Sequence, residues 1–478
     1  MQLSRTAKIR DRLSWATCVL LTGLAAQASE GDGGDSGDTG DSADESWGGG
    51  DTTATSSADI GGLYYQEDAG RVAVAEGVAA IKNVQEDESA WNLHLTVDSL
   101  SGGSPNGALP SRAAQTFANP SGHSLQATQV VQTPGGVQTC TTASGSAYAC
   151  GSTAGGSSVQ ANPTLYTVAP GALPLDKTFH DQREAVSLSY MTPPGPTSHW
   201  TAGGDYSHEM DFQSMSVNAS WAQDFDEKNT TLTLGTNLEY DTNNPVGGTP
   251  VPLSNYTTFS RQGNLSKSVG DILLGLTQVM TRRWLTEFNI AVDNSQGYQN
   301  DPYKVVSGLD AQGNVVGYIY ENRPTRRFKR SLFWDNRYAF DEDTLDLSMR
   351  YMSDDWGIHS ETADVHYRSE IGDSGQFVEA HYRWYHQTAA SFYRLYVVQG
   401  QPYLKYVSAD PRLGEFSAQT LGFKYGYAFD KDSEVSLRVE RYQQKTVVNM
   451  PVLQQLQGLN LYPGLGATIV EADLQFKF

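Results

Sequence analysis

A chain of 478 residues with 54 acidic against 33 basic side chains has a formal charge of −21, which excludes nucleic acid and anionic surfaces as partners held by bulk attraction. No segment beyond the N-terminal region approaches eighteen consecutive apolar residues, so a transmembrane helix is excluded and strands are left as the way into a bilayer. The 47 glycines, 25 tyrosines and 38 % apolar content suit a barrel with a wet interior, which needs only half of each strand to be apolar.

In chain order, Arg5, Lys8, Arg10 and Arg12 form a basic n-region, and Leu13 to Ala25 an apolar run too short to anchor in a bilayer. Ala26-Gln27-Ala28 supplies a small-x-small cleavage pattern, so residues 1–28 read as a signal peptide that takes Cys18 with it. Residues 29–57, dominated by Gly, Asp, Ser and Thr, cannot bury a core and are expected to form a disordered acidic tether. Its aspartates lack the order and closing Glu of an EF-hand loop, which leaves a solvated linker as the simpler reading.

The barrel is expected over residues 58–478, from alternating segments of about ten residues. They fall at 58–67, 71–83, 89–100, 179–191, 199–211, 214–224, 229–241, 265–280, 284–296, 326–340, 344–355, 359–371, 376–388, 415–429, 433–446 and 466–478. Turns after even-numbered segments are mostly short and polar, whereas loops at 101–178, 242–264, 297–325, 389–414 and 447–465 are long. The fold class implied is all-β: an antiparallel transmembrane β-barrel of about 16 strands (14–18), with short periplasmic turns and long external loops. The longest loop, 101–178, is rich in Gly, Ser, Thr and Gln; it either folds into the lumen or stands outside, and its few large apolar residues favour the latter. Within it Cys140 and Cys150 are expected to form a disulfide in an oxidising envelope, since their spacing is not CxxC and no histidine lies between them.

In the last segment Thr468, Val470, Ala472, Leu474, Phe476 and Phe478 share one face, opposite Ile469, Glu471, Asp473, Gln475 and Lys477. Leu474, Phe476 and Phe478 thus resemble the closing strand, and insertion signal, of bacterial outer-membrane barrels. Outer-membrane lipid and the barrel-assembly machinery are the partners this ending implies.

The runs DSLSGGSPNGALPS (98–111), APG and LPLD within 169–176, FHDQR (179–183) and NPVGGTPVP (244–252) resemble an exported outer-membrane barrel family known as a domain of unknown function (DUF 3570). The resemblance spans about Trp47 to Phe478, and residues 126–160 look like an insertion beyond the usual pattern. It implies no established activity. It does imply association with extracytosolic flavin- or thiol-redox proteins, hence a periplasmic redox partner.

With the turn at Asp373-Ser374, the hairpin 359–388 brings Asp364 opposite Arg383, His366 opposite His381, and Arg368 opposite Glu379 on the lumen face. The preceding strands offer Asp346, Arg350, Asp335 and Arg337 to the same wall. This charge ladder reads first as a structural network, second as a pore lining, and third as a His–His metal or acid/base site. Tyr64, Tyr65, Trp284, Trp334, Tyr338, Phe340, Tyr351, Trp356, Trp384, Tyr425, Tyr427 and Phe429 read as an aromatic girdle, with a ligand-stacking track as the alternative. No GxSxG, HExxH, P-loop or dinucleotide fingerprint occurs in a supporting context, so neither an enzyme nor a cofactor is expected. The function expected is an outer-membrane channel for small polar solutes. A non-conducting scaffold docking the redox partner is second, and an outer-membrane hydrolase third.

Overall fold

The computed structural model describes residues 54–118, 130–132, 138–141, 147–149 and 165–478, apart from positions 194, 246, 247, 259, 373, 403, 448, 449, 462 and 463. The signal peptide and nearly all of the tether lie outside the described residues. So do Cys150 and the side chain of Cys140, and with them the expected disulfide.

Sixteen strands form one closed antiparallel barrel. They are β1 (Thr55–Glu67), β2 (Ala73–Val84), β3 (Ala90–Ser101), β4 (His180–Met191), β5 (Ser198–His208), β6 (Phe212–Phe225), β7 (Thr230–Asn243) and β8 (Leu265–Thr281). The second half comprises β9 (Trp284–Gly297), β10 (Arg326–Ala339), β11 (Asp343–Asp354), β12 (His359–Ile371), β13 (Gln376–Gln387), β14 (Phe416–Ala428), β15 (Ser433–Thr446) and β16 (Leu465–Lys477). No bound departs from the expected one by more than three residues. β1 starts three residues early, inside the expected tether, because Thr55 pairs with Val84 and Ser56 exchanges backbone hydrogen bonds of 3.0 and 2.8 Å with Phe478. β5 stops at His208 because Glu209 N–H closes a tight turn onto the Phe212 carbonyl at 2.8 Å.

Closure follows from the alternation in β16. Ala58, Ile60, Gly62 and Tyr64 of β1 pair with Phe476, Leu474, Ala472 and Val470, so both strands turn apolar side chains outward together. Around the barrel the same phase leaves Val217, Leu238, Ile272, Leu421 and Phe423 more than half exposed on the outside. Bulky side chains that would be a liability in water become an asset against hydrocarbon. The girdle expectation holds for Tyr64, Tyr338, Phe340, Tyr351, Tyr425, Tyr427 and Phe429, all exposed. Two of the expected members do other work. Tyr65 points inward and donates to Glu67 at 3.2 Å, and Trp356 is buried beneath Phe392 with the Arg327 guanidinium 4.5 Å from its ring centre.

Among the described residues, the four buried apolar clusters lie in the connections between strands, three wholly in long loops and one joining Trp356 and Ile358 of the short 355–358 turn to the 388–415 loop. Ala108, Phe117 and Val168 of the 102–179 connection pack with Val305 and Tyr320 of the 298–325 connection. Leu109 meets Leu309, Leu395, Tyr396 and Leu456, so loops rooted at four places on the rim share one core. The two ends of the longest loop are thus densely packed, although the loop itself holds few large apolar residues. The apolar surface that packs them is supplied by other loops, and so is not visible in that loop's own sequence.

A buried ion cluster fastens this cap. Arg323 reaches Asp410 and Glu321 at 2.7 Å each, and Arg412 reaches Asp410 at 2.6 Å and Asp301 at 2.8 Å. Lys304 donates to Ser104 Oγ at 2.7 Å and to the Pro105 carbonyl at 2.9 Å, tying in the longest loop. Burial pushes the Asp410 carboxyl up, but Arg412, Lys304 and Arg323 outweigh it and hold it far below the usual carboxylate range.

Two outcomes follow. Leu421→Arg, on the lipid face near the middle of β14, should destabilise the barrel by about 2–4 kcal/mol, read by denaturant titration in lipid vesicles. Arg323→Ala strands the buried Glu321 carboxylate and removes one of the two arginines on Asp410, and should loosen the cap by about 3–5 kcal/mol, seen as faster proteolysis of the 298–325 and 388–415 loops with heat-modifiable barrel mobility retained. The stabilisation from Asp410 is present above the unfolded carboxyl value of about 4 and lost as pH falls through its lower folded value. The Asp410 contribution to loop protection should therefore stay level from neutral pH to about pH 5 and decline only in stronger acid, whereas Glu321, pushed up by burial in the same cluster, acts in the opposite sense.

Candidate functional site

The lumen wall of β10–β16 is built by register. Asp364 pairs with Arg383, His366 with His381 and Arg368 with Glu379, while Arg337 faces Asp346 and Asp346 faces His366. His381 is next to Gly422 on β14, and Gly422 is next to Glu440 on β15. A single level of the barrel thus carries Arg337, Asp346, His366, His381, Gly422 and Glu440 on successive strands.

The side chains form a connected network. Arg337 Nε lies 2.7 Å from Asp346 and 3.2 Å from Asp335. The His366 and His381 rings stack at 4.1 Å with 10° between their planes. His366 Nδ1 is 3.0 Å from Glu379 Oε1, and His381 Nδ1 is 2.7 Å from Glu440 Oε1. Both Nε2 atoms turn toward Asp364, at 3.0 and 3.2 Å from its Oδ1. Arg383 approaches the other oxygen, Oδ2, at 3.6 Å. Two ladder residues reach beyond their register partners: Arg368 lies 3.5 Å above the Phe377 ring and 3.8 Å from Glu434, and Arg350 covers Phe333 at 5.4 Å.

Glycine decides one contact. A Cβ at Gly422 would sit 2.6 Å from Glu440 Oε1, so only a bare backbone on β14 lets the Glu440 carboxylate cross to His381. Arg438 backs the site from β15, 3.7 Å from both Glu379 and Glu440, and is itself 3.9 Å from Glu471. Sequence reasoning stopped at β13 and missed Arg438, Glu440 and Glu471. Their inward phase was readable in the alternation of 433–446 and 466–478, but the reach across β14 was not.

A second group went unnoticed for the same reason. On β7–β9 the inward carboxylates Glu239, Asp241, Asp271, Glu287 and Asp293 gather on one side of the lumen, all but Asp293 less than a tenth exposed. Lys267 meets Asp241 at 2.9 Å, and Lys329 approaches Asp293 at 3.8 Å. Arg183, where the longest loop rejoins the wall, binds Asp98 at 2.6 Å and Glu76 at 3.4 Å. Its side chain faces the lumen, where β2 and β3 place those carboxylates.

This wall can hold charge of both signs, orient imidazoles and present carboxylate and imidazole donors to a small solute or cation. In solved structures, the fold is similar to a bacterial polysaccharide outer membrane secretin, with 8% identity, TM-score 0.41, and 88% and 98% of the two chains covered. It is similar to the outer membrane protein OpdK from Pseudomonas aeruginosa, with 8% identity, TM-score 0.36, and 89% and 99% covered. A TodX monoaromatic hydrocarbon channel gives 10% identity, TM-score 0.33, and 89% of each chain. No curated protein matches the chain in sequence. The family described as "Protein of unknown function (DUF3570)" matches residues 11–476, and the chain, a closed barrel with this charged wall, belongs to that family.

Proposed function

We propose that the protein is an outer-membrane channel for small polar solutes, narrowed by its packed loops. The observation that carries this reading is the state of the lumen wall. Arg337, Asp346 and His366, in mid-wall, keep about 32 %, 27 % and 26 % of their side-chain surface accessible, while the outside of the same strands is apolar. Water therefore reaches ionisable groups inside a barrel of sixteen strands, the size at which lumens begin to admit it. Mixed charges close together favour small polar solutes by size and local field rather than by net charge. The deeply buried acids of β7–β9 argue for a narrow passage rather than a wide one.

Single-channel recording in planar bilayers tests the proposal. The refolded mature protein should give stable conductance steps, and Arg323→Ala, which loosens the cap, should raise the conductance or the open fraction. Silence in both proteins, with folding verified by heat-modifiable mobility, would overturn the channel reading. A scaffold that docks an extracytosolic redox partner would then take its place.

A further inference from the structure

We propose that Asp364, His366 and His381 form a binding site in the lumen wall for a divalent first-row transition metal ion of the zinc or iron(II) class. The site is independent of whether the barrel conducts.

The donor atoms of the three side chains all lie within 4.8 Å of one another. Asp364 Oδ1 has an imidazole Nε2 at 3.0 Å and a second at 3.2 Å, yet it is buried and receives no aligned hydrogen bond from either. Three donors bound at about 2.0–2.2 Å to one ion stand roughly 3.0–3.5 Å apart, a spacing that both nitrogen–oxygen distances match, although His381 Nε2 is also within hydrogen-bond reach of Asp364 Oδ2 at 3.3 Å. Two imidazoles with one carboxylate suit zinc, iron, cobalt or nickel, and not calcium or magnesium, which require oxygen donors.

The surroundings are those of a built site. A metal-bound histidine gives its other ring N–H to a carboxylate, which fixes the tautomer and ring orientation. Here both histidines have such a partner: Glu379 at the Nδ1 of His366 and Glu440 at the Nδ1 of His381. Nδ1–H donation to these carboxylates leaves both Nε2 atoms without a proton beside Asp364, and because the stacked rings hold their lone pairs nearly parallel, a shared ion requires the rings to tilt toward each other. Arg438 holds the orienting carboxylates, and Oδ2 of Asp364 is engaged by Arg383 at 3.6 Å and by His381 Nε2 at 3.3 Å, so Oδ1 is the oxygen open to an ion. Gly422 keeps the lane open through which Glu440 reaches His381. His366 remains about a quarter exposed, so an ion can arrive from the lumen.

Equilibrium dialysis of the untagged, detergent-refolded mature protein against zinc chloride tests the inference, with cobalt(II) absorption as a second readout. One zinc ion per chain should bind, cobalt should develop the visible bands of a low-coordinate nitrogen–oxygen site, and calcium and magnesium should not compete. His366→Gln and His381→Gln should each weaken zinc binding at least about tenfold, and Glu440→Gln by about 10–100-fold, because it loosens a ligand without removing one. The absence of stoichiometric zinc binding by folded protein would overturn the proposal, as would binding unchanged in both histidine variants. Should a histidine variant fail to fold, Glu440→Gln and the unaltered chain decide the matter.

Discussion

Everything in this barrel depends on one constraint: in hydrocarbon, a backbone N–H or C=O without a partner costs several kcal/mol, so the sheet must have no edge. β16 meets that demand by pairing with β1 along nearly its whole length, from Lys477 opposite Ser57 to Ala467 opposite Glu67. Once the ring is closed, side-chain period and strand register are locked together. A slip of one residue anywhere would turn Ile60 and Leu474 into the lumen and Asp473 into lipid. The outward apolar belt and the inward ionisable wall are therefore two consequences of a single pairing scheme.

That scheme also builds the site. Groups more than a hundred residues apart, Arg337 and Glu440, stand at one level because five successive antiparallel registers are fixed. The ladder is then refined by local steric detail. A glycine on β14 lets a glutamate act one strand further than its register allows, and a phenylalanine on β13 draws Arg368 over its ring. The loop end follows different physics. There the apolar clusters and the Arg323–Asp410–Arg412 cluster resemble the interior of a small soluble domain, held by burial of apolar surface and by ion pairs shielded from water.

Much of the architecture was legible in the chain. Alternation with a period of two, mostly short polar turns after every second segment, and the terminal Leu474–Phe476–Phe478 pattern specify strand order and facing and bound the strand number to about 14–18, since each is a local property of the backbone. The hairpin of β12 and β13 is readable to the residue because its turn is short, so the pairing of Asp364 with Arg383 and of His366 with His381 follows from the sequence alone. Arg438, Glu440 and the acids of β7–β9 had equally clear phase, but long loops separate β13 from β14, β7 from β8 and β9 from β10, and hide which level of the wall each reaches.

The sequence by itself determined the closed barrel, its inside and its outside, because the bilayer leaves an alternating strand no other stable arrangement. Only the tertiary structure decided where the side chains meet. The convergence of two imidazoles on one carboxylate depends on distances across β12 and β13, and the hold of Glu440 on His381 depends on the missing Cβ of Gly422. The packed cap likewise depends on apolar residues such as Leu109, Leu309 and Leu456, each isolated in a polar loop and joined only in space. Periodicity encodes direction along a strand, whereas contact between elements is a property of the folded whole.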